Sequence, residues 1–354
     1  MSSFSTNKLD ILGAKMSKRV LITGIGGFSA SHTCEHILKN TDWQIVGIDS
    51  FRHKGDSLRL ARFFTDEYKN RLKVIAHDLA CPISDRMIEE IGPIDYVFAI
   101  ASDSHVERSI TDPVPFVKNN VALSLETFEY ARKAKPKAVI LQSTDEVFGP
   151  ALAQDKHTEW MSFKPSNPYA ASKAAQDAIA FSYWRTYGVP VVINHVMNLI
   201  GQYQDKEKFV PMVISKVLKG ETVSIHADKD KIGTRMYLHC RNLADAQVFL
   251  LNNITPEIYT HDVTNYQEPS SYNIAGLEEV DNLTMAQKIA EFVGKPLKYE
   301  LVNSHQQRPG HDLMYRLDST KISKLGWKAP VPLWHSVQQT VEWALKKENR
   351  IWLI

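Results

Sequence analysis

Arg19-Val20-Leu21-Ile22-Thr23-Gly24-Ile25-Gly26-Gly27-Phe28-Ser29-Ala30 is the stretch that decides the fold. An apolar run of strand length stops at Gly24, residues 29–39 follow with a helical pattern, and Gln44–Asp49 is a second apolar strand. Strand, helix and strand in that order make a βαβ unit. Further strands are expected at 73–77, 96–101, 138–142 and 189–195, alternating with helices at 84–91, 114–134 and 167–187. Continuous apolar strands between helices predict an α/β fold, a parallel sheet covered on both faces.

After about residue 198 the rhythm breaks. Helices at 209–219, 241–252 and 284–293 are separated by loops containing Gly, Asn and Pro. The expected organisation is a loose extension over 1–18, in which Met16 is an alternative start, a dinucleotide-binding domain over 19–198, and a smaller mixed α/β lobe over 199–354. Later segments return to the first domain. The chain has 354 residues and a formal net charge of +2, which gives no field suited to a phosphate backbone, so no nucleic-acid partner is expected. Three scattered cysteines, Cys34, Cys81 and Cys240, make neither a metal cluster nor a disulfide framework and fit a reducing cytoplasm. No apolar run reaches membrane-spanning length, and no metal is expected.

The spacing Gly24-x-x-Gly27-x-x-Ala30 puts small residues where a strand turns into a helix. There they permit a tight turn and let backbone N–H groups approach a pyrophosphate at the helix N-terminus. Glycine in a strand-to-helix turn is also common for purely structural reasons. Asp49 ends the second strand, where a carboxylate accepts hydrogen bonds from an adenosine ribose and repels a 2′-phosphate; this favours NAD over NADP, with Arg52 close enough to soften the choice. Asp78 and Leu79 close the third strand, Ala101 follows the fourth and Asn119 begins the next long helix, tracing the rest of a cofactor rim.

Ser143-Thr144-Asp145-Glu146-Val147-Phe148-Gly149 precedes Tyr169 and Lys173, which share a face of one helix at spacing i, i+4. An ammonium and a bound nicotinium ring lower the phenol pKa, so that Tyr169 can take a hydroxyl proton as hydride leaves. On spacing alone, such a pair is equally an ordinary exposed helix face. Adjacent strand residues point to opposite faces, so Asp145 and Glu146 reach one ligand only if the strand has ended or twisted by Thr144.

With Ala101-Ser102-Asp103-Ser104-His105-Val106-Glu107-Arg108-Ser109, Asn167-Pro168-Tyr169-Ala170-Ala171-Ser172-Lys173, Arg185-Thr186-Tyr187-Gly188 and Arg308-Pro309-Gly310-His311-Asp312, the chain resembles the extended short-chain dehydrogenase/reductase family from about Arg19 to Trp343. Within it the nucleotide-sugar 4,6-dehydratases are nearest, because Thr144-Asp145-Glu146 is specific to dehydratases whereas Tyr-x-x-x-Lys is shared by the wider superfamily. The resemblance implies a Rossmann-type doubly wound sheet and a closed redox cycle on a nucleotide hexose. Tyr169, with Thr144 or Ser143 and Lys173, deprotonates the C4 hydroxyl during oxidation by NAD. Glu146 then removes the C5 proton, Asp145 protonates the departing C6 hydroxyl, and hydride returns to C6. Phe28 and Ser143 join the cofactor contacts together with Tyr169 and Lys173.

The same resemblance gives Ser104, Asn198, Lys208, Arg235, Asn273, Arg308 and His311 as nucleotide-sugar contacts, the arginines suited to phosphate. Two departures stand out: Asn198-Leu199-Ile200-Gly201-Gln202 where relatives carry Asn-Asn-Tyr-Gly-Pro, and Arg235-Met236-Tyr237 where they carry Arg-Asp-Trp. They leave the base open among dTDP, UDP, CDP and GDP compounds. Phe128, Tyr130, Phe181 and Trp184 punctuate the two long helices that in relatives join two subunits, so a homodimer is expected, although core packing explains such residues as well. Rival readings are a 4-epimerase, a 5,6-dehydratase and a catalytically silent NAD-binding regulatory protein.

Overall fold

The structure is a computed structural model that describes residues 17–151, 155–229, 231–261, 264–303 and 313–354. Seven parallel strands form the central sheet: β1 (Arg19–Thr23), β2 (Gln44–Asp49), β3 (Leu72–Ala76), β4 (Tyr96–Ala99), β5 (Ala138–Thr144), β6 (Val191–Val196) and, far along the chain, β12 (Ser270–Ile274). Their order, β12-β6-β5-β4-β1-β2-β3, reverses direction between β1 and β4. That gap is the switch point where open α/β sheets take ligands, outside the carboxyl ends of the strands.

Alternation along each strand divides the core. Val20 and Ile22 of β1, Phe98 of β4, Ile140 of β5 and Val192 of β6 face one apolar layer. Leu21, Val97, Val139, Leu141 and Ile193 face the other. Helix α1 (Phe28–Asn40) covers the first face together with α8 (Cys240–Asn253), which contributes Leu243, Ala246 and Leu250. Helices α5 (Pro113–Ala134) and α6 (Pro168–Tyr187) cover the second. Fully burying such side chains stabilises the fold by roughly 1.5–3 kcal/mol each before chain entropy is charged against it.

Phe128, Tyr130 and Trp184 are at most 1% exposed, and Phe181 packs on the same layer. Their helical spacing aims them at the sheet, so they are core residues and do not face a second subunit. The exposed apolar residues on these helices are Val114, Leu125 and Tyr187.

The short helices α2 (Leu58–Ala61), α3 (Asp85–Ile91) and α4 (Val106–Thr111) lie in crossovers; the sequence reading placed α3 and missed the other two. β7 (Leu199–Ile200) leads into the smaller lobe with α7 (Phe209–Lys219), β8 (Thr222–Asp228), β9 (Lys231–Ile232), β10 (Thr234–Arg235) and β11 (Leu238–His239). After β12 come β13 (Val280–Asp281), α9 (Asn282–Val293) and β14 (Lys298–Asn303). β14 pairs in parallel with β8, and α7, α9 and the helix Leu333–Leu345 share a separate apolar core.

Candidate active site

The carboxyl ends of β1 to β6 and the smaller lobe enclose a cavity of about 420 Å³. Gly24, Gly27, Phe28, Ala30, Asp49, Asp78, Leu79, Ala101 and Asn119 all line it, with Ser143. Gly24 has φ +67, and a Cβ there would lie 2.9 Å from Ala101 Cα. No other residue fits this turn without strain. A Cβ on Gly27, the N-cap of α1, would lie 2.9 Å from the Gly24 carbonyl. The helix start has no side-chain cap, which leaves its N–H groups to an anion.

Asp49 accepts from Gly26 N–H at 2.9 Å and Phe51 N–H at 2.8 Å, fixing the carboxylate at the end of β2 beside the Gly24–Gly27 turn. Burial raises its pKa, against those two bonds. Arg52, the residue that weakened the cofactor choice, is occupied: it pairs with Asp78 at 2.9 Å and donates to Asn119 Oδ1 at 2.9 Å. These residues fit a dinucleotide with a free 2′-hydroxyl.

β5 ends at Thr144, and Asp145–Phe148 turn at once into a 3₁₀ helix whose N-cap is Thr144. The Thr144 hydroxyl accepts from Glu146 N–H at 3.4 Å and donates to Asp145 Oδ1 at 2.8 Å. The turn abolishes the alternation that would part Asp145 from Glu146, and both line the cavity with Tyr169 and Lys173. Burial first, and the Glu146 charge second, raise the Asp145 pKa from 3.8 to about 7. Its Oδ2 has no hydrogen-bond partner among the described residues. Burial and the neighbouring charge favour the protonated form of this acid. Asn167 caps α6 by accepting from Ala170 N–H at 2.9 Å, and its amide donates to Glu146 Oε2 at 3.2 Å. One side chain thus starts the helix of Tyr169 and steers the neighbouring carboxylate.

Lys173 donates to the Gln142 carbonyl at 2.7 Å and to Gln176 Oε1 at 2.5 Å. Burial lowers its pKa to about 8, opposed by the charge of Asp177. The expected lowering of the Tyr169 phenol depends on a bound nicotinium ring; the protein's own groups act the other way. Burial and the Glu146 charge hold the phenol pKa far above the ordinary value, against a hydrogen bond with Thr144. Thr144 is therefore the hydroxyl partner of Tyr169, while Ser143 turns inward and donates to Asp177 at 2.8 Å.

Ser104, Asn198, Lys208 and Arg235 reach the cavity from the substrate side. Lys208 donates to the Ser104 carbonyl at 3.0 Å, and burial lowers its pKa. Arg235 donates to the carbonyls of Thr234 and Leu313 at 2.7 and 2.6 Å, and stacks 4.9 Å from the Tyr315 ring centroid. The Met236 departure is a packing residue: it lies in an apolar cluster with Val147, Phe148, Met197 and Tyr315 directly under the Asp145–Phe148 turn. Leu199 and Ile200 pair with Leu238 and His239, which explains the apolar departure there.

Asn273 is a correction. It is fully buried in β12, donates to the carbonyls of His157 and Asp318, and is not among the cavity residues. Arg308 and His311 lie outside the described residues.

The reading of the sequence missed Asn120, Asn167 and Asn282 as supporting polar residues. Asn120, fully buried, holds the Asp103 backbone through both amide atoms and donates to Ser172. Asn282 lines the cavity and accepts from the Tyr237 hydroxyl at 2.7 Å. Asn167 carried a signal in the Asn-Pro pair at a helix start; the other two had none.

Residues 21–340 match the sequence family described as GDP-mannose 4,6 dehydratase. A dTDP-glucose 4,6-dehydratase of Escherichia coli is 32% identical over 357 residues, covering 94% of each chain. The solved dTDP-glucose 4,6-dehydratase of Streptomyces venezuelae, with NAD bound, is 28% identical with a TM-score of 0.80, covering 94% of this chain and 98% of that one. A Thermus thermophilus UDP-glucose 4-epimerase, at 23% identity and TM-score 0.76 over 92% of this chain and 98% of its own, shares the fold. The chain belongs to the GDP-mannose 4,6 dehydratase family, within the extended short-chain dehydrogenases/reductases.

Proposed function

We propose that the protein is an NAD-dependent 4,6-dehydratase that converts an NDP-glucose, dTDP-glucose before others, into the NDP-4-keto-6-deoxy sugar. The observation that carries this reading is the Asp145–Phe148 turn, which delivers a proton-holding acid and a second carboxylate into the cavity of Tyr169 and Lys173. An epimerase needs no such pair. The similarity to dTDP-glucose 4,6-dehydratases at 32% identity over nearly the whole chain favours the same substrate.

NAD, when bound, supplies a hydride acceptor for C4 and later a donor for C6. Gly24, Gly27 and the start of α1 hold its pyrophosphate and Asp49 its ribose. Tyr169 takes the C4 hydroxyl proton, with Thr144 hydrogen-bonded to it and Lys173 one turn away. The ketone acidifies C5, Glu146 removes that proton, and Asp145 gives its own to the C6 hydroxyl, which leaves as water. As C6 takes its hydride, Glu146 returns the proton to C5, and the proton gained by Tyr169 is released to solvent while Asp145 takes one back. Asp145 begins the elimination neutral because burial and the Glu146 charge both oppose its ionisation. Arg235 and Lys208 hold the pyrophosphate of the sugar nucleotide, and Ser104 and Asn198 the sugar; Arg308 and His311 belong to the same set on the resemblance alone.

On this reading 19–198 bind the cofactor and 199–354 mainly the nucleotide sugar. Two copies associate through α5 and α6, where Val114, Leu125 and Tyr187 are exposed, and the enzyme works in the reducing, NAD-supplied cytoplasm with its three cysteines as thiols. No helix among the described residues is long and apolar enough to cross a membrane. Incubation with NAD and a panel of nucleotide hexoses tests the activity. The expected product lacks one water and shows the alkali-induced absorbance of a 4-keto sugar, with no net NADH. An epimer of unchanged mass, or no reaction with any member, overturns the reading.

A further inference from the structure

Behind the cavity runs a chain of buried polar groups that the proposed chemistry does not use. Asp177 lies one helical turn beyond Lys173 on α6. Its Oδ2 accepts from Ser143 Oγ at 2.8 Å and lies 3.2 Å from His195 Nε2. On the far side of the imidazole, Nδ1 lies 3.4 Å from Ser271 Oγ of β12. His195 is opposite Ser143 in the β5–β6 register. Its ring centroid is 4.7 Å from that of Phe148, the last residue of the turn that carries Asp145 and Glu146. Ser143, Asp177, His195, Ser271 and Phe148 are each at most 4% exposed, and neither Asp177 nor His195 lines the cavity.

We propose that His195 and Asp177 are positioning residues that lock the Asp145–Phe148 turn to helix α6, so that the elimination pair keeps one fixed spacing from Tyr169 and Lys173. Apolar packing would seat Phe148 without a carboxylate and an imidazole, whose burial costs stability. What the polar pair adds is direction. Hydrogen bonds fix the ring plane, the ring seats Phe148, and the carboxylate ties both to the helix of the redox residues. The oxidation residues sit on α6 and the acid and base on the turn, so loosening this lock at His195 alters their relation without replacing either group or the Asp177 charge that acts on Lys173. The charged groups acting on Asp145 are Glu146, next to it on the turn, and Arg235; Lys173 faces Asp177 on α6, and the His195 ring faces it from β6.

The kinetic part of this role rests on the dehydratase reading above; its structural part does not. The test uses the NAD-loaded full chain with His195→Phe, which keeps a ring but loses the donor, Asp177→Asn, which keeps the shape, and His195→Gln, which restores a donor. Carbon-13 carboxyl NMR follows the titration of Asp145 without substrate. In wild type it falls near neutral pH; in His195→Phe and Asp177→Asn it moves down by about one unit as the turn admits water, and His195→Gln recovers part of the shift. An unmoved titration in both variants overturns the positioning role. With dTDP-glucose and His195→Phe, which leaves the Asp177 charge beside Lys173, the first appearance of NADH absorbance keeps its wild-type rate, while C5 exchange with solvent deuterium and keto-sugar release slow about a hundredfold, as expected when a catalytic group is displaced by about 1 Å. Equal slowing of both steps overturns the lock as a spacing device. If His195→Phe does not fold, Ser271→Ala removes only the Nδ1 partner and must give a smaller shift of the same sign; no shift overturns the idea. Should wild type itself produce neither NADH nor keto sugar, the dehydratase reading fails while the titration still decides the lock.

Discussion

Asp145→Asn replaces a buried acid by an amide of the same shape that cannot ionise. Asp145 is 3% exposed and its pKa is raised from 3.8 to about 7, about three units, so ionisation inside the fold costs about 3 × 1.36, or roughly 4 kcal/mol. The sign follows from proton binding. Below about pH 4 folded and unfolded chains both hold the proton and the group is neutral in its effect on stability. As pH rises toward 7 only the unfolded chain ionises, and the wild-type fold loses stability until the folded acid ionises as well. Asp145→Asn escapes that loss. In urea unfolding the variant gains on wild type by a few kcal/mol between pH 5 and pH 8. The same variant has no proton for the leaving hydroxyl, and its kcat falls by about 10² to 10⁴. Part of the shift comes from the Glu146 charge, so in Glu146→Gln the stability loss due to Asp145 is smaller and ends at lower pH. Identical pH dependence of stability in Asp145→Asn and wild type refutes the assignment of Asp145 as a buried, proton-holding acid.

Water elimination in wild type declines as pH rises through about 7, because Asp145 loses the proton it must donate; a single-turnover pH profile of keto-sugar formation measures this, and a rate that rises across that range contradicts it. Gly24→Ala forces a left-handed φ on alanine and drives its Cβ against Ala101, so the fold loses about 1–3 kcal/mol and NAD affinity falls at least about tenfold by calorimetry. Arg235→Ala raises KM for the nucleotide sugar about a hundredfold, the effect of removing one charge-assisted contact of roughly 3 kcal/mol; unchanged KM retires its phosphate role. Asp49→Asn weakens NAD binding and narrows the preference over NADP, read as the ratio of the two Kd values.

Much of the fold is legible in the sequence because apolar runs and turn residues mark the same boundaries. β1, β2 and α7 fall where the runs and their flanking Gly or Asp residues put them. The cofactor cradle is legible for the same local reason: small residues at fixed offsets in one turn. β12 and its pairing with β6 were not legible, since a parallel partner some 75 residues away leaves no short-range pattern. The Leu333–Leu345 helix did carry one, in Val337, Val341 and Ala344, that the reading passed over.

Within the site, Thr144-Asp145-Glu146 carried the resemblance that implies the chemistry, and strand alternation required the strand to end there; only the structure supplies the 3₁₀ turn that satisfies it. Asn273 shows the opposite. Carried over on the resemblance alone as a ligand contact, it has its amide spent on the carbonyls of His157 and Asp318. The aromatic residues of α5 and α6 likewise needed the sheet beneath them to reveal which way they point.

dTDP-glucose deuterated at C4 gives the most direct measurement of the redox cycle closing on one sugar. With the wild-type protein and unlabelled NAD, mass and NMR analysis of the 4-keto product should find the deuterium at C6, transferred within one turnover and with one water lost. Deuterium found at C4 of an epimer, retained on the cofactor, or absent from C6 of a dehydrated product would contradict the account.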